Sequence, residues 1–434
     1  MNVKTTRNLG KLIALSLITS TMLHATNGDN LIAVGTKARG MGGVGIAVSH
    51  GAESALGNAA LITSVESTEI GFGGTLFMPD VKTTINTAGI GDGTDGLPPL
   101  QQSHTSDADM NMIPEVSIAH KIDDNWYIGV GMWGTAGLGV DYSNKFNPAV
   151  GQFGNLDMVT NLQLLQFGVP VAYKTGGLSL AVTPVMQYGN LDINYQAPQF
   201  DATGTPVGFF NNGAGLAQDF GFGFNLGLAY NFADQGMPGL TLGAVYKSSI
   251  EMDYDNQLTT AIRPFVSGQP GDTLADLLPN GDTLEQPEEY GVGIAYVMGQ
   301  HTFAFDYKKI KWSDADGYGD FGWDDSDVYA VGYAYTENEW TVRLGYNHAD
   351  SAVVEVMDQR LNFFNLLGFP ANAEDHYTIG ASYEFSKMFS VDLAYVYEDE
   401  AKDTFSVAAL PFGFDSVTTT HEENSVSFQL AYKF

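Results

Sequence analysis

With 434 residues, 50 acidic against 19 basic side chains and a formal net charge of −31, the chain repels polyanions, and nucleic acid is excluded as a partner. It contains no cysteine, so no disulfide framework organises it. Glycine (51) and aromatic residues (12%) are abundant, yet beyond the first 25 residues no run of 18 apolar residues occurs, which excludes a bundle of membrane-spanning helices.

The first 25 residues, "MNVKTTRNLGKLIALSLITSTMLHA", open with Lys4, Arg7 and Lys11. An apolar run from Leu12 to Leu23 follows, and then Ala25. That layout predicts a secretory signal peptide over residues 1–25, hence an exported chain. Residues 26–67 come next and carry no strand periodicity. Within them "KARGMGGVGIAV" satisfies G-x-G-x-x-G through Gly40, Gly42 and Gly45, with Gly43 beside them. A dinucleotide-binding turn needs a strand before it and a helix and parallel strand after it. Here the following segments alternate as antiparallel strands. Glycines also let backbone pack closely and take positive φ, which a compact plug requires.

From about residue 68 the chain cycles through fourteen alternating segments: 68–78, 111–120, 126–137, 162–174, 178–194, 220–232, 240–254, 288–297, 301–313, 327–335, 340–350, 375–385, 389–398 and 423–434. Their connections alternate between short turns ("KIDDN", "TGG", "ENE", "SKM") and long segments such as 79–110, 255–287 and 399–422. Short turns at one rim and long loops at the other characterise a transmembrane barrel, and an even strand number suits one. A membrane protein without spanning helices must close its sheet, because lipid offers backbone groups no partners. In "WTVRLGYN", Trp340, Val342, Leu344 and Tyr346 face lipid while Thr341, Arg343, Gly345 and Asn347 face the lumen. The final "VSFQLAYKF" alternates without a fault and ends in Phe434, as the last strand of an outer-membrane barrel does. The fold class is therefore all-β: a 14-stranded antiparallel transmembrane β-barrel over residues 68–434, with an N-terminal hatch (plug) inside the lumen over residues 26–67.

"GTKARGMGGVGIAVSHGAESALGNAALIT" resembles the hatch of the FadL family of outer-membrane transporters, which includes the TodX-type hydrocarbon channels. The family's Asn-Pro-Ala turn is matched by Asn58, Ala59 and Ala60, with Ala59 in the proline position. The segments "IPEVSIAHKIDDNWYIGVGMWGTAGLGVDY", "YKSSIEMDYD", "QPEEYGVGIAYVMGQHTFAFDYKKIKWS" and "EWTVRLGYNHADS" are similar to family segments along nearly the whole mature chain. The resemblance implies an apolar ligand captured by extracellular loops, bound in the lumen, and released sideways at a kinked third strand after hatch movement. In "WYIGVGMWGTAGLGVDY" it places the kink at Gly134, Gly137 and Gly139, where glycines interrupt the apolar pattern.

A fatty acid carboxylate asks for a cation inside, and Lys37, Arg39 and Arg343 are the candidate head-group contacts. Where the resemblance places basic residues, this chain has "NLDINY" and "SDADGYGD", which favours a neutral hydrocarbon. Apolar capture is assigned to Phe209 and Phe210 in one long loop, Leu277 and Leu278 in the next, and Phe363 and Phe364 in "LNFFNLLGF", read as an exposed apolar patch. The carboxylates of "DADGYGDFGWDDSD" lack the spacing of a calcium loop and read as a solvated acidic loop. The expected partners are a hydrophobic small molecule, outer-membrane lipid and lipopolysaccharide. The expectation is a monomer without cofactor, metal or catalytic centre. His348, Asp350 and Ser351 lie at a strand end with no G-x-S-x-G elbow to suggest an esterase. A general porin and an adhesin are the remaining alternatives.

Overall fold

A computed structural model describes residues 27–87, 101–146, 155–201, 206–410 and 414–434; the predicted signal peptide lies outside them. The barrel strands are β1 (Thr68–Thr87), β2 (Asn111–Lys121), β3 (Trp126–Asp141), β4 (Val159–Gly168 and Val171–Thr175), β5 (Leu178–Phe200), β6 (Ala217–Asn231) and β7 (Leu240–Lys247). They continue as β8 (Glu289–Met298), β9 (His301–Ile310), β10 (Ser326–Glu337), β11 (Trp340–Ala349), β12 (Asp375–Ser386), β13 (Phe389–Ser406) and β14 (Phe414–Lys433). Each pairs antiparallel with its neighbours in sequence, and β14 returns to β1 from Glu69↔Lys433 to Thr87↔Phe414, closing the cylinder. The fourteen strands match the count read from turn spacing. A short strand, Gln101–Thr105, extends β2 alongside the top of β1, and Pro206–Asn212 forms a hairpin with the top of β5.

Alternation holds where lipid imposes it. Along β8, Tyr290, Val292, Ile294 and Tyr296 are exposed to the outside while Glu289 and Ala295 are buried inside. Arg343 is buried on the lumen side between outward Val342 and Leu344, as the pattern requires. Above the apolar band the strand ends differ from expectation. Segments 79–87, 399–406 and 414–422, read as loop, are strand. Threonines carry the ladder there: Thr83 pairs with Thr419 at 2.9 Å and Thr404 with Thr418 at 2.8 Å. Outside the bilayer neither face must be apolar, so an apolar period does not reveal these extensions. In the other direction β7 ends at Lys247, and its expected continuation to 254 turns inward, burying Ile250, Met252 and Tyr254. β4 is divided at Pro170, which has no N–H to donate; its carbonyl instead accepts from Gly129 N at 2.8 Å.

Two bodies fill the bore. At the short-turn end the hatch packs small apolar side chains on small wall residues. Met41, Val44 and Ala47 meet Ala295, Ala304, Ala330 and Ala334; Ala52, Ala55 and Ile62 meet Ala119 and Ala172. At the long-loop end the loops fold down into one large apolar cluster that includes Trp312, Trp323, Phe363, Phe364 and Leu366. Leu344→Arg, which places a cation on the outer face between Tyr333 and Ile379, is expected to cost about 2–4 kcal/mol in urea unfolding from lipid vesicles. The same change at inward-facing Thr341 should cost far less.

Candidate functional site

The glycine stretch opens the site. Residues Thr36–Arg39 form a single helical turn, after which Gly42 (φ +74°) and Gly43 (φ +85°) take left-handed conformations. Gly42 lies directly on the wall. A Cβ added there would sit 2.6 Å from Val331 O and 2.7 Å from Tyr346 N, and one added at Gly345 would sit 2.0 Å from Gly42 N. Its amide donates to Thr378 Oγ1 at 2.8 Å, and its carbonyl accepts from Asn347 Nδ2 at 3.2 Å. Gly40 meets Gly380 as closely, whereas Gly45 has room for a side chain. What Gly45 supplies, with Ile46, is a pair of amides that donate to Asp306 Oδ2 at 2.7 and 2.9 Å. These glycines hold a plug against a sheet.

Asn58 fastens the far end of the plug. Its Nδ2 donates to Ile46 O at 2.7 Å and to Leu228 O of β6 at 3.0 Å, while its Oδ1 accepts from Ala60 N at 3.1 Å. Ala59 and Ala60 begin the short 3-10 helix that this side chain caps, and both are buried.

The three candidate cations lie along the same seam. Lys37 Nζ is 3.7 Å from Asp392 and 4.0 Å from Glu69, and donates to His50 O at 3.2 Å. Arg39 donates to Ser427 Oγ at 3.1 Å and to Ser425 Oγ at 2.6 Å, both on β14. Arg343 donates to Ser382 Oγ at 2.5 Å, and Ser382 in turn donates to Asp392. All three therefore have partners within the protein: Lys37 and Arg39 bind hatch to wall, and Arg343 links β11 to β12 and, through Ser382, to β13. Glu53, which sequence reasoning passed over, accepts from the amides of Lys37 and Ala38 at 3.1 and 3.0 Å and orients the helical turn.

Above the hatch, β3 changes character at Gly134. Up to Gly131 its residues alternate between exposed and buried, Met132 is half-buried, and from Gly134 to Val140 none is exposed. Both faces have left the lipid. The register to β4 shifts between Gly134 and Ala136, and the ladder to β2 ends at Glu115↔Trp133. The strands meet again only near the rim, where Asp107 N donates to Asp141 O at 2.9 Å. Along the intervening edge the start of the hatch takes the position of β2. Leu31 N donates to Thr135 O at 3.2 Å, Gly137 N donates to Asp29 O at 3.1 Å, and Asn30 bridges Ala136. Leu31 packs with Ile113 of β2 and Phe77 of β1 behind the parted edge. A Cβ on Gly139 would lie 2.2 Å from Thr160 O, so the inward course of β3 depends on glycine there.

The capture residues separate into two groups. Phe210 is exposed and Phe209 half-buried on the outer hairpin. Phe363 and Phe364, expected in an exposed patch, are fully buried, as is Leu278; Leu277 is half-buried. Residues Gln359–Gly368 turn down into the bore as a lid, because other loops cover them, which the run "LNFFNLLGF" alone cannot disclose. Thr419 Oγ1 donates to Leu366 O at 2.9 Å and Thr160 Oγ1 to Gly368 O at 2.5 Å. The acidic loop also differs from expectation: its aromatics Tyr318, Phe321 and Trp323 point inward, and Trp323 Nε1 donates to Asn365 Oδ1 of the lid at 3.2 Å. Aromatics recurring among the acids were the signal available in the sequence. Between lid and bent strand, Leu138, Leu162, Leu258, Phe321, Trp323 and Phe369 enclose an apolar space of only 20 Å³, about the room of one water.

Residues 18–434 match the model of the family described as "Outer membrane protein transport protein (OMPP1/FadL/TodX)". The chain belongs to that family. Family members are outer-membrane proteins, and the barrel is placed in that membrane. The chain is 24% identical over 410 residues to the long-chain fatty acid transport protein of Escherichia coli O6:H1, covering 85% of this chain and 86% of that one. It is 23% identical over 432 residues to outer membrane protein P1 of Haemophilus influenzae, covering 88% and 89%. Two solved structures share the fold: the toluene transporter TodX of Pseudomonas putida (TM-score 0.67, 17% identity, 93% and 99% covered) and a FadL homologue of Pseudomonas aeruginosa (0.68, 15%, 96% and 100%).

Asp29, whose backbone holds β3, also accepts from Tyr318 and from Gln286 Nε2. Burial pushes its carboxyl up to about 6, against those two hydrogen bonds, which favour the ionised form. An acid raised in the folded state binds its proton more readily there, so stability falls as pH rises from the ordinary carboxylate range through about 6. Hydrogen exchange at Leu31 and Gly137, corrected for intrinsic rates, should show stronger protection at pH 5 than at pH 7. Asp29→Asn should abolish the difference.

Proposed function

We propose that this protein is a passive outer-membrane channel for hydrophobic small molecules, and that they leave it sideways at the bend of β3. The outer hairpin with Phe209 and Phe210 offers the first apolar contact. The ligand then displaces the lid carrying Phe363 and Phe364 and occupies the apolar space beneath it. Release follows when residues 29–31 lift from β3 and open the edge beside Gly134, Gly137 and Gly139 toward the bilayer. The observation that carries this reading is the parted edge: β3 leaves β2 above Trp133, and hatch backbone occupies the position. In this reading residues 26–67 act as one movable hatch and residues 68–434 as the fixed barrel, a monomer set among lipid and lipopolysaccharide.

Leaving sideways keeps the ligand out of water, and each methylene kept from water is favoured by about 0.8 kcal/mol. A water-filled pore would forfeit that gain, and the filled bore disfavours a general porin. Within the hydrophobic class, the reading favours neutral hydrocarbons over long-chain fatty acids. Lys37, Arg39 and Arg343 are engaged within the protein, and the space under the lid is lined by leucine, phenylalanine, tyrosine and tryptophan with Asn365 as its one amide. The relatives span both ligand types by name, a fatty acid transport protein and a toluene transporter.

The chain has no cysteine of its own, so an engineered disulfide reports cleanly. Asn30→Cys with Ala136→Cys joins a bridged antiparallel pair, whose Cα separation of about 4.5–5.5 Å suits a disulfide. Cells producing the oxidised variant should take up labelled toluene and oleate at the background rate, and a reductant should restore uptake. Undiminished uptake through the oxidised variant would rule out release at this edge. Toluene uptake exceeding oleate uptake in wild type is the expected order.

A further inference from the structure

On the inner face of β14, Ser427 and Ser425 receive Arg39 of the hatch, and Thr419 holds the lid. Between those seats the inward positions are Glu423 and His421, both buried. Register places Glu423 opposite Glu398 of β13, and Glu398 opposite His376 of β12. Three adjacent strands thus direct His376, Glu398 and Glu423 to one spot inside the barrel wall, with His421 beside Glu423. The ligand atoms of His376, Glu398 and Glu423 all lie within 4.8 Å of one another. His376 Nε2 is 3.7 Å from Glu423 Oε2, and His421 Nε2 is 3.3 Å from Glu423 Oε1.

Burial makes the cluster difficult to explain as ordinary lumen lining. Glu398 and His376 are completely covered, and neither carboxylate oxygen of Glu398 nor either ring nitrogen of His376 has a hydrogen-bond partner. Glu423 likewise makes no hydrogen bond and has only the two imidazoles at ion-pair distance. A buried carboxylate such as Glu398 with no hydrogen bond is costly, and two carboxylates side by side repel each other. Lys37 is ion-paired with Asp392 and Glu69, while Arg39 and Arg343 direct hydrogen bonds to serines rather than to Glu398 or Glu423. A divalent cation resolves the arrangement: its two charges balance both carboxylates, and neutral imidazoles complete the shell.

We propose that His376, Glu398 and Glu423, with His421 as the fourth ligand, bind one divalent transition-metal ion of the zinc class. Two imidazoles and two carboxylates are borderline donors, which suit zinc and its neighbours better than calcium or magnesium. Ligands of a tetrahedral zinc ion stand roughly 3.3 Å apart, given bonds of about 2.0–2.2 Å, so small side-chain rotations close the site. The ion fastens β12, β13 and β14 to one another between the hatch and the lid. This assignment differs from the expectation of a metal-free chain and is independent of where the ligand leaves.

The full chain, stripped with chelator in detergent, would be dialysed against Zn²⁺ and its metal counted by mass spectrometry. One Zn²⁺ per chain is expected in wild type and in His348→Gln, a histidine outside the cluster. Glu398→Gln and His376→Gln should bind at least ten-fold more weakly while still running as folded, heat-modifiable barrels on unheated gels. Cobalt(II) provides a second readout in wild type alone: an intense visible spectrum of four-coordinate type, quenched by added zinc. Equal zinc binding by wild type and folded Glu398→Gln, or no zinc and no cobalt spectrum in wild type, would overturn the site.

Discussion

Backbone pairing in hydrocarbon is the constraint on which everything else rests. Lipid offers no hydrogen-bond partner, so every spanning strand must find one on each side, and closure of β14 onto β1 completes the circuit. That demand makes the parting of β3 from β2 informative. An edge opened toward lipid would leave amides and carbonyls unsatisfied. Here β3 turns inward at Gly134, and residues 29–31 supply partners to Thr135 and Gly137. The hatch is thus also a piece of the wall.

The contacts that seat the hatch are of two kinds, and they act over different distances. Gly40 and Gly42 against Gly380 and Gly345 bring backbone onto backbone, so that amides reach wall groups such as Thr378 and Asp306 directly. Lys37 and Arg39 operate across the seam through serines and carboxylates. Glycines provide closeness without flexibility of the wall, and charge pairs in a water-poor bore give orientation. Residues 29–31 are held by two backbone hydrogen bonds to β3 and by side-chain hydrogen bonds from Gln286 and Tyr318.

Much of this architecture was legible in the chain. Alternation in β8, β11 and β14 and the contrast between "SKM" or "ENE" and the long connections specify a barrel because lipid enforces both. The extensions of β1, β13 and β14 were not legible, since threonine ladders above the bilayer carry no apolar period. The lid was read with the wrong exposure. "LNFFNLLGF" has the composition of a surface patch and of a buried plug alike, and the difference lies in what covers it. Lys37, Arg39 and Arg343 were read as head-group contacts from charge alone, whereas their partners lie on β12, β13 and β14, which no local pattern announces.

The amino-acid sequence by itself determined the strand number, the lipid-facing residues and the glycine-rich segment that precedes the barrel. Each follows from a local rule, either period two in a strand or the missing Cβ of glycine. The tertiary structure alone decided that residues 29–31 complete the edge of β3, that Phe363 and Phe364 seal the bore, and that His376, Glu398 and Glu423 converge. Those meetings depend on register between strands and on the fall of long loops. Inward positions are free of the lipid's demand for apolar side chains, so no local periodicity announces them.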